Sequence, residues 1–468
     1  MASRIWFLKV LVCTTVTIAI SSSYAAGDVS SFARYKPDGE SLFLTPLLDK
    51  GDIATARTLS EVKLINVSSE LHSHSGFITV DRLLRNHLFF WHFPSQQSDK
   101  APLLMWLNGG PAVSSMLGLF WKHGPLEANR EKYGDSYALR NHTWVGPFSL
   151  VYVDNPVGTG YSFSESGEGG YKLTQAGYTH DLYNFVLQFF KMFPEYKTRG
   201  FYIGGQSYAG KYVPALAHKI HSERLNESAG IPLHGIILGG PYFDPPTESV
   251  AFFDYLYAVG AISYSDMERH KAKVKSMYQK FLAGGFVKDT FSELFTDLVL
   301  LKELPLPSLD NYVTGKPADY NQICVIMTSP EMRKAVHVDE NRSYFSSNDN
   351  LSERYGPDVF VSTKPQMAVI MDNYKVLIYN GDYDVVVSSA MIEAALMSTN
   401  WSRQREYNNT RRHIWKAGNR LKGFFSYTGQ FCRVVVHGAG HQTPHDQPDS
   451  SLEMVTSFLY QGCIKPEN

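Results

Sequence analysis

The sequence predicts an α/β fold with a mostly parallel central sheet and a helical insertion. Three observations carry that reading. Short apolar runs rich in β-branched residues recur along the chain, and each closes in a cluster of Gly, Pro, Asn or Asp. Helical patterns lie between some of them, and the strand rhythm stops from about residue 242 to about residue 365 before it resumes. The 468 residues suffice for one large core with an insertion, and no internal repeat or low-complexity segment is visible.

The first element is not part of the fold. MASRIWFLKVLVCTTVTIAISSSYAAG has Arg4 and Lys9 near its start, an apolar stretch from Val10 to Ile20, and a small-x-small site at Ser23-Tyr24-Ala25. We read residues 1–25 as a signal peptide cut after Ala25, because the apolar run is shorter than the roughly 20 residues a spanning helix needs. No later segment is apolar enough to span, so no membrane association is expected after removal of the signal.

Residues 26–468 then form one catalytic domain. Buried parallel strands are expected at Pro102–Leu107, Leu150–Val153, Gly200–Ile203, His234–Leu238, Lys375–Tyr379 and Cys432–Val436, with helices at Thr174–Phe190 and Tyr212–Arg224. From about 242 to about 365 a helical, Lys-rich stretch, including FFDYLYAVGAI and SDMERHKAKVKSMYQKFLAGG, reads as a cap inserted between two core strands. Within it Glu303–Asn311, with Pro305 and Pro307, reads as loose and protease-sensitive.

Composition excludes some partners. Hydrophobic residues make up 44% and charged residues 19%, and 44 Lys+Arg stand against 45 Asp+Glu, so nothing argues for nucleic acid. Asn-x-Ser/Thr sites at Asn66, Asn141, Asn226, Asn341, Asn350, Asn400 and Asn408 fit a secreted chain bearing N-linked glycans. Cys13 leaves with the signal, and the remaining Cys324, Cys432 and Cys463 permit one disulfide and one free thiol. We pair Cys432 with Cys463. No C-x-x-C or His/Cys cluster suggests a metal site, and no cofactor is implied.

Three strand ends carry candidate chemistry. After FYIG comes Gly205-Gln206-Ser207-Tyr208-Ala209-Gly210, whose small residues allow a sharp turn that presents a hydroxyl at the head of a helix. After YKVLIYN comes Gly381-Asp382-Tyr383-Asp384, and after CRVVV comes His437-Gly438-Ala439-Gly440-His441. The order Ser, Asp, His is that of the α/β-hydrolases, in which histidine takes the serine proton and the acid orients the imidazole. Each residue also has a plain reading: Ser207 as a helix cap, Asp384 as a turn residue, His441 as a satisfied loop histidine. Spacing alone does not choose between Asp382 and Asp384.

WLNGGPAVSS, DNPVGTGYS, GGQSYAGKYVP, YNGDYD and GHQTPHDQP resemble the signature blocks of the serine carboxypeptidase family, and LFLTPLLDKG resembles its vitellogenic carboxypeptidase-like branch. The likeness runs from about Leu42 to the C-terminus. It implies an α/β-hydrolase fold and a triad of Ser207, Asp384 and His441, thereby choosing Asp384 over Asp382. It also implies an oxyanion hole from the N–H groups of Gly110 and Tyr208. Asn108, Gly109 and Gln206 take the positions that bind a peptide's free C-terminal carboxylate.

The chain departs from the family at several of these places. Gln206 stands where the family usually has Glu, and Lys122 where many members have a second Glu. Such carboxyl groups read the substrate carboxylate while protonated, which favours acidic pH, so their absence predicts activity nearer neutrality. Lys122 reads either as a positive charge in the pocket or as a solvated surface lysine. Ala112 and Val113 replace glycine and cysteine or glycine, which predicts a narrower site, and Gln442 and Thr443 predict a more polar leaving-residue pocket.

The leading function is therefore a secreted or lysosomal serine carboxypeptidase that releases single C-terminal residues through an acyl-enzyme. Two other readings stand beside it. One is an acyltransferase on the same fold, and the other is a catalytically weak secreted homologue with a binding or storage role.

Overall fold

The computed structural model describes residues 40–64, 67, 71–224, 230–284, 306–315 and 318–465. The leader, Cys13, Asn66, Asn226 and residues 303–305 lie outside them. In chain order the strands are β1 (His74–Asp81), β2 (Asn86–Phe93), β3 (Leu103–Leu107), β4 (Leu126–Ala128), β5 (Tyr137–Leu139), β6 (Ser149–Val153), β7 (Phe163–Ser164), β8 (Phe201–Gln206), β9 (Leu233–Gly239), β10 (Lys375–Gly381), β11 (His413–Ala417), β12 (Arg420–Thr428) and β13 (Phe431–Val436).

The main sheet runs β1-β2-β6-β3-β8-β9-β10-β13-β12-β11, with β7 against β2, while β4 and β5 form a separate pair. Every strand from β6 through β13 in that order lies parallel to its neighbour, and these are the runs expected from the sequence. They are buried on both faces. Leu103, Met105 and Leu107 of β3 enter one core cluster and Leu104 and Trp106 the other, as the two-residue period of a strand requires.

The antiparallel edges carry no comparable signal. β1 and β2 are joined through Arg85, which takes a left-handed φ of 51° although it is neither glycine nor asparagine. At the other edge β11 and β12 expose several of their residues instead of running buried throughout.

The helix Gln175–Met192 begins beneath Thr174, whose side chain accepts the Gly177 N–H. The helix Ala209–Arg224 starts earlier than Tyr212, directly after β8. Its first turn is set by close packing: a Cβ on Gly210 would lie 2.8 Å from the Tyr242 nitrogen.

Between β9 and β10 the described residues supply helices, among them Pro245–Ala258, Tyr264–Leu282, Tyr320–Thr328 and Lys364–Asn373, and no strand of the main sheet. The segment expected to be loose is tied down where it is described. Leu309 and Asn311 are buried, the Leu309 carbonyl accepts the Val385 N–H at 3.1 Å, and the Asp310 carbonyl accepts the His441 N–H at 2.6 Å. Its prolines suggest looseness, but backbone pairing with two loops of the core fixes it.

Cys432 and Cys463 form a disulfide with Cα atoms 5.4 Å apart, fastening the tail after the helix Pro448–Gln461 to β13. No described cysteine is free, Cys324 included, so the odd thiol left by setting Cys13 aside is not a free one. Asn141, Asn341, Asn350, Asn400 and Asn408 are all exposed. No described helix is long and apolar enough to cross a membrane, and no metal-ligating cluster is found among the described residues.

Candidate active site

Parallel neighbours bring their C-terminal loops to one edge of the sheet, and four such loops meet here. β8 ends at Gln206, and Ser207 follows with φ of +61°, a left-handed conformation that a serine adopts only when its surroundings impose it. The imposition is visible: the Ser207 N–H donates to the Gly239 carbonyl at 3.0 Å, while the Ser207 carbonyl accepts from Gly210 and Tyr242. The turn leaves Ser207 half-buried between fully buried neighbours.

The loop after β3 lies against this turn. A Cβ on Gly109 would sit 2.8 Å from Ser207 Cβ and 2.7 Å from the Tyr208 nitrogen, so only glycine allows the approach. Gly110, at φ +112°, follows on the exposed side. Among the described residues neither the Gly110 nor the Tyr208 N–H has a hydrogen-bond acceptor, and both donors flank the serine. The Tyr208 side chain points away, its hydroxyl donating to Asp358 at 2.7 Å.

Asp384 and His441 come from the loops after β10 and β13, which are adjacent in the sheet with Gly381 opposite Val436. His441 Nδ1 lies 2.8 Å from Asp384 Oδ2, and Asp384 Oδ1 accepts the Val387 N–H at 2.9 Å. Burial lowers the pKa of His441, but the Asp384 carboxylate and then the Asp310 charge outweigh it, holding the imidazole above its ordinary value against Lys122. Gly240 packs beneath the pair, where a Cβ would be 3.0 Å from Asp384 Oδ2 and 3.2 Å from His441 Nδ1. Asp382, the other acid that spacing allowed, is turned to a different partner, with its Oδ2 2.7 Å from His437 Nδ1.

Beside Ser207, Asp384 and His441 lies a buried polar network. Lys122 is 1% exposed, which rules out the surface-lysine reading, and its Nζ donates to Asn108 Oδ1 at 2.6 Å. Burial pushes its ammonium down to about 7, against the pull of Asp310. Gln206 Nε2 donates to the His441 carbonyl at 2.5 Å and reaches Gln442 Oε1 at 3.4 Å. Gln442 Nε2 in turn donates to Asp310 Oδ1 at 3.1 Å, while Gln206 Oε1 is buried with no partner.

Asp310 is the residue that sequence reasoning missed. It lies far from the triad in the chain, between proline-marked turns, and only its docking beside the His441 loop gives it a role. Ala112 and Val113 are both buried. Ala112 belongs to one core cluster and Val113 to the other, although Val113 also packs on Gly110.

The family model for serine carboxypeptidases matches residues 65–461. The chain is 36% identical over 441 residues to a probable serine carboxypeptidase, CPVL, of Homo sapiens, covering 90% of both chains. It is 33% identical to the venom serine carboxypeptidase of Apis mellifera, covering 90% of this chain and 91% of that one. Among solved structures, the prohormone-processing carboxypeptidase KEX1(delta)p of Saccharomyces cerevisiae superposes with a TM-score of 0.74 at 19% identity, over 88% of this chain and 97% of that one. That likeness supports the α/β-hydrolase fold. With the family match spanning most of its length, the chain belongs to the serine carboxypeptidase family.

Proposed function

We propose that the chain removes single C-terminal residues from peptides through an acyl-enzyme formed on Ser207. His441 accepts the serine proton at Nε2 as Oγ attacks the scissile carbonyl, and Asp384 holds Nδ1 and stabilises the imidazolium. The oxyanion is received by the N–H groups of Gly110 and Tyr208, which have no other acceptor among the described residues. Collapse expels the amine of the leaving residue with the proton from His441, and water then attacks the acyl-enzyme by the same route. Asn108, Gly109 and Gln206 line the side where the free carboxylate of the substrate is held.

The observation that carries this reading is the 2.8 Å pairing of His441 with Asp384 on the loops beside the strained Ser207 turn. A serine-reactive phosphonate tests the nucleophile, and product analysis with a blocked dipeptide tests the exopeptidase step. The expected result is labelling at Ser207 and release of one free amino acid. Labelling without release would favour an acyltransferase, which a second digestion with added alcohol would reveal as ester product. No labelling would favour a binding or storage role.

We also assign the protein to the secretory route, either outside the cell or in a lysosome, with N-linked glycans. The exposure of Asn141, Asn341, Asn350, Asn400 and Asn408 and the Cys432–Cys463 bridge support this, since disulfides persist in oxidising compartments.

A further inference from the structure

The inserted segment lies between the two loops that carry Asp384 and His441, and it is bonded to both. On one side the Leu309 carbonyl accepts the Val385 N–H at 3.1 Å, and the Tyr312 N–H donates to the Tyr383 carbonyl at 3.4 Å. On the other the Asp310 carbonyl accepts the His441 N–H at 2.6 Å, and Asn311 Nδ2 donates to Asp446 Oδ2 at 2.9 Å. Consecutive residues of the insertion thus tie the acid's loop to the base's loop.

The fit is closest on the histidine side. Asp446 Oδ2 also accepts the Gly440 N–H at 2.7 Å, so Asn311 reaches the residue before His441 through one shared oxygen. Asn311 is 2% exposed, and its Oδ1 accepts the Val313 and Thr314 N–H groups at 3.1 Å and 3.0 Å, which sets the direction of its amide. Gly440 leaves no room for a side chain: a Cβ would lie 2.1 Å from the Asp310 carbonyl oxygen and 2.6 Å from Asn311 Cβ. Anchoring a loop to the fold does not require that successive N–H groups, at Gly440 and His441, both be held. Holding both fixes the point from which the imidazole projects.

We propose that Asp310 and Asn311 are positioning residues for His441, so that the insertion belongs to the acid–base machinery instead of only covering it. The proposal rests on the acyl-enzyme reading and deepens it. His441 has to keep Nδ1 on Asp384 while Nε2 faces Ser207, and a small displacement of its backbone spoils both contacts at once. Asp310 adds a charge to the position. Burial disfavours the imidazolium, Asp384 and then Asp310 outweigh that effect, and Lys122 opposes them. The charged and titratable groups around His441 are Asp384 from the loop after β10, Asp310 from the insertion, Lys122 at the end of the helical turn Gly118–Lys122, and His445 and Asp446 from the helix Thr443–Asp446.

The first variant is Asn311→Asp, which keeps an acceptor for the Val313 and Thr314 N–H groups but sets a carboxylate against Asp446. With a blocked dipeptide its kcat should fall by roughly 10- to 100-fold, the cost of a misplacement of about 1 Å, while KM stays unchanged. Adding Asp446→Asn puts an amide opposite the new carboxylate and should recover part of kcat, which a general loss of stability would not do. The second variant is Asp310→Asn, which keeps the backbone carbonyl and an acceptor for Gln442 Nε2 and removes only the charge. Its rising limb of kcat/KM should move to lower pH with the plateau unchanged. Thermal melts report folding without reference to His441. A folded Asn311→Asp chain with the wild-type kcat, or a loss of kcat that Asp446→Asn does not relieve, would overturn the part assigned to Asn311. An unmoved limb in Asp310→Asn would overturn the part assigned to Asp310, and it decides alone should Asn311→Asp not fold. A wild type that releases no residue from the blocked dipeptide would instead remove the acyl-enzyme reading and this proposal with it, whereas an active wild type leaves the variants to judge positioning alone.

Discussion

The two halves of the site are built in different ways. The half we propose as the triad hangs from the sheet: Ser207 follows the last residue of β8, Asp384 and His441 lie in the loops after β10 and β13, and the register of β8, β9, β10 and β13 brings these ends together. The other half, where we propose that the substrate carboxylate is held, is a network of side chains, in which Asn108, Lys122, Gln206, Asp310 and Gln442 come from five separate stretches and meet through hydrogen bonds and charge. Strand ends tolerate little change, because moving one shifts a whole ladder. A side-chain network can exchange acids for amides or a cation while the scaffold stays the same.

The comparison predicts that changes in the triad half abolish turnover, whereas changes in the other half redirect it. Ser207→Ala should end phosphonate labelling and lower kcat by several powers of ten, up to about a millionfold, by analogy with other serine proteases. The fold should persist by circular dichroism, since alanine adds no bulk at the turn. Asp384→Asn should keep the geometry but favour the wrong imidazole tautomer, costing about ten-thousandfold in kcat, as measured with the same blocked dipeptide. Asp382→Asn should do far less, because Asp382 faces His437 and not His441. Equal losses in the two Asn variants would mean that the pairing at 2.8 Å does not orient the base.

The disulfide joins the C-terminal tail to the strand that delivers His441. Replacing Cys432 and Cys463 together by serine should lower stability by roughly 4 kcal/mol in the chain-entropy model, read from denaturant melts without reductant. Activity below the transition should persist, because the loop itself is held elsewhere: Asp446 Oδ2 accepts from the Gly440 N–H at 2.7 Å and from Asn311 Nδ2 at 2.9 Å. Loss of activity without loss of stability would show that the tail positions His441.

The smallest expected effect is the most diagnostic of the network. Because His441 is held above its ordinary value of about 6.5, its base form grows only as pH rises past that point, and kcat/KM should rise into the neutral range and hold there. Gln206→Glu reverses the other side of the profile. A glutamate there donates to the His441 carbonyl only while protonated, and once ionised it opposes both that oxygen and the substrate carboxylate. The variant should therefore lose activity as pH rises through the acidic range. The same falling limb in both proteins would mean that Gln206 does not read the carboxylate.

All six parallel strands and the Ser207 turn were legible because each is local. A strand buried on both faces must be apolar at successive positions, and a nucleophile turn needs small residues beside it, so the pattern and the cause lie in the same few residues. The edge strands were not legible, since Arg85 makes a turn that its side chain does not announce. The choice of Asp384 over Asp382 came from family resemblance, and the structure supplies its reason in the partner each acid faces. The sequence by itself determined the fold class and the order in which Ser207, Asp384 and His441 follow their strands; it permitted the Cys432–Cys463 bridge, which the structure shows. Only the tertiary structure decided that Lys122 is buried, that Ala112 and Val113 serve the cores, and that Asp310 stands beside the site. The charge of a lysine is written in the chain, but its solvation is not, because water is excluded from Lys122 by segments that lie far from it in sequence.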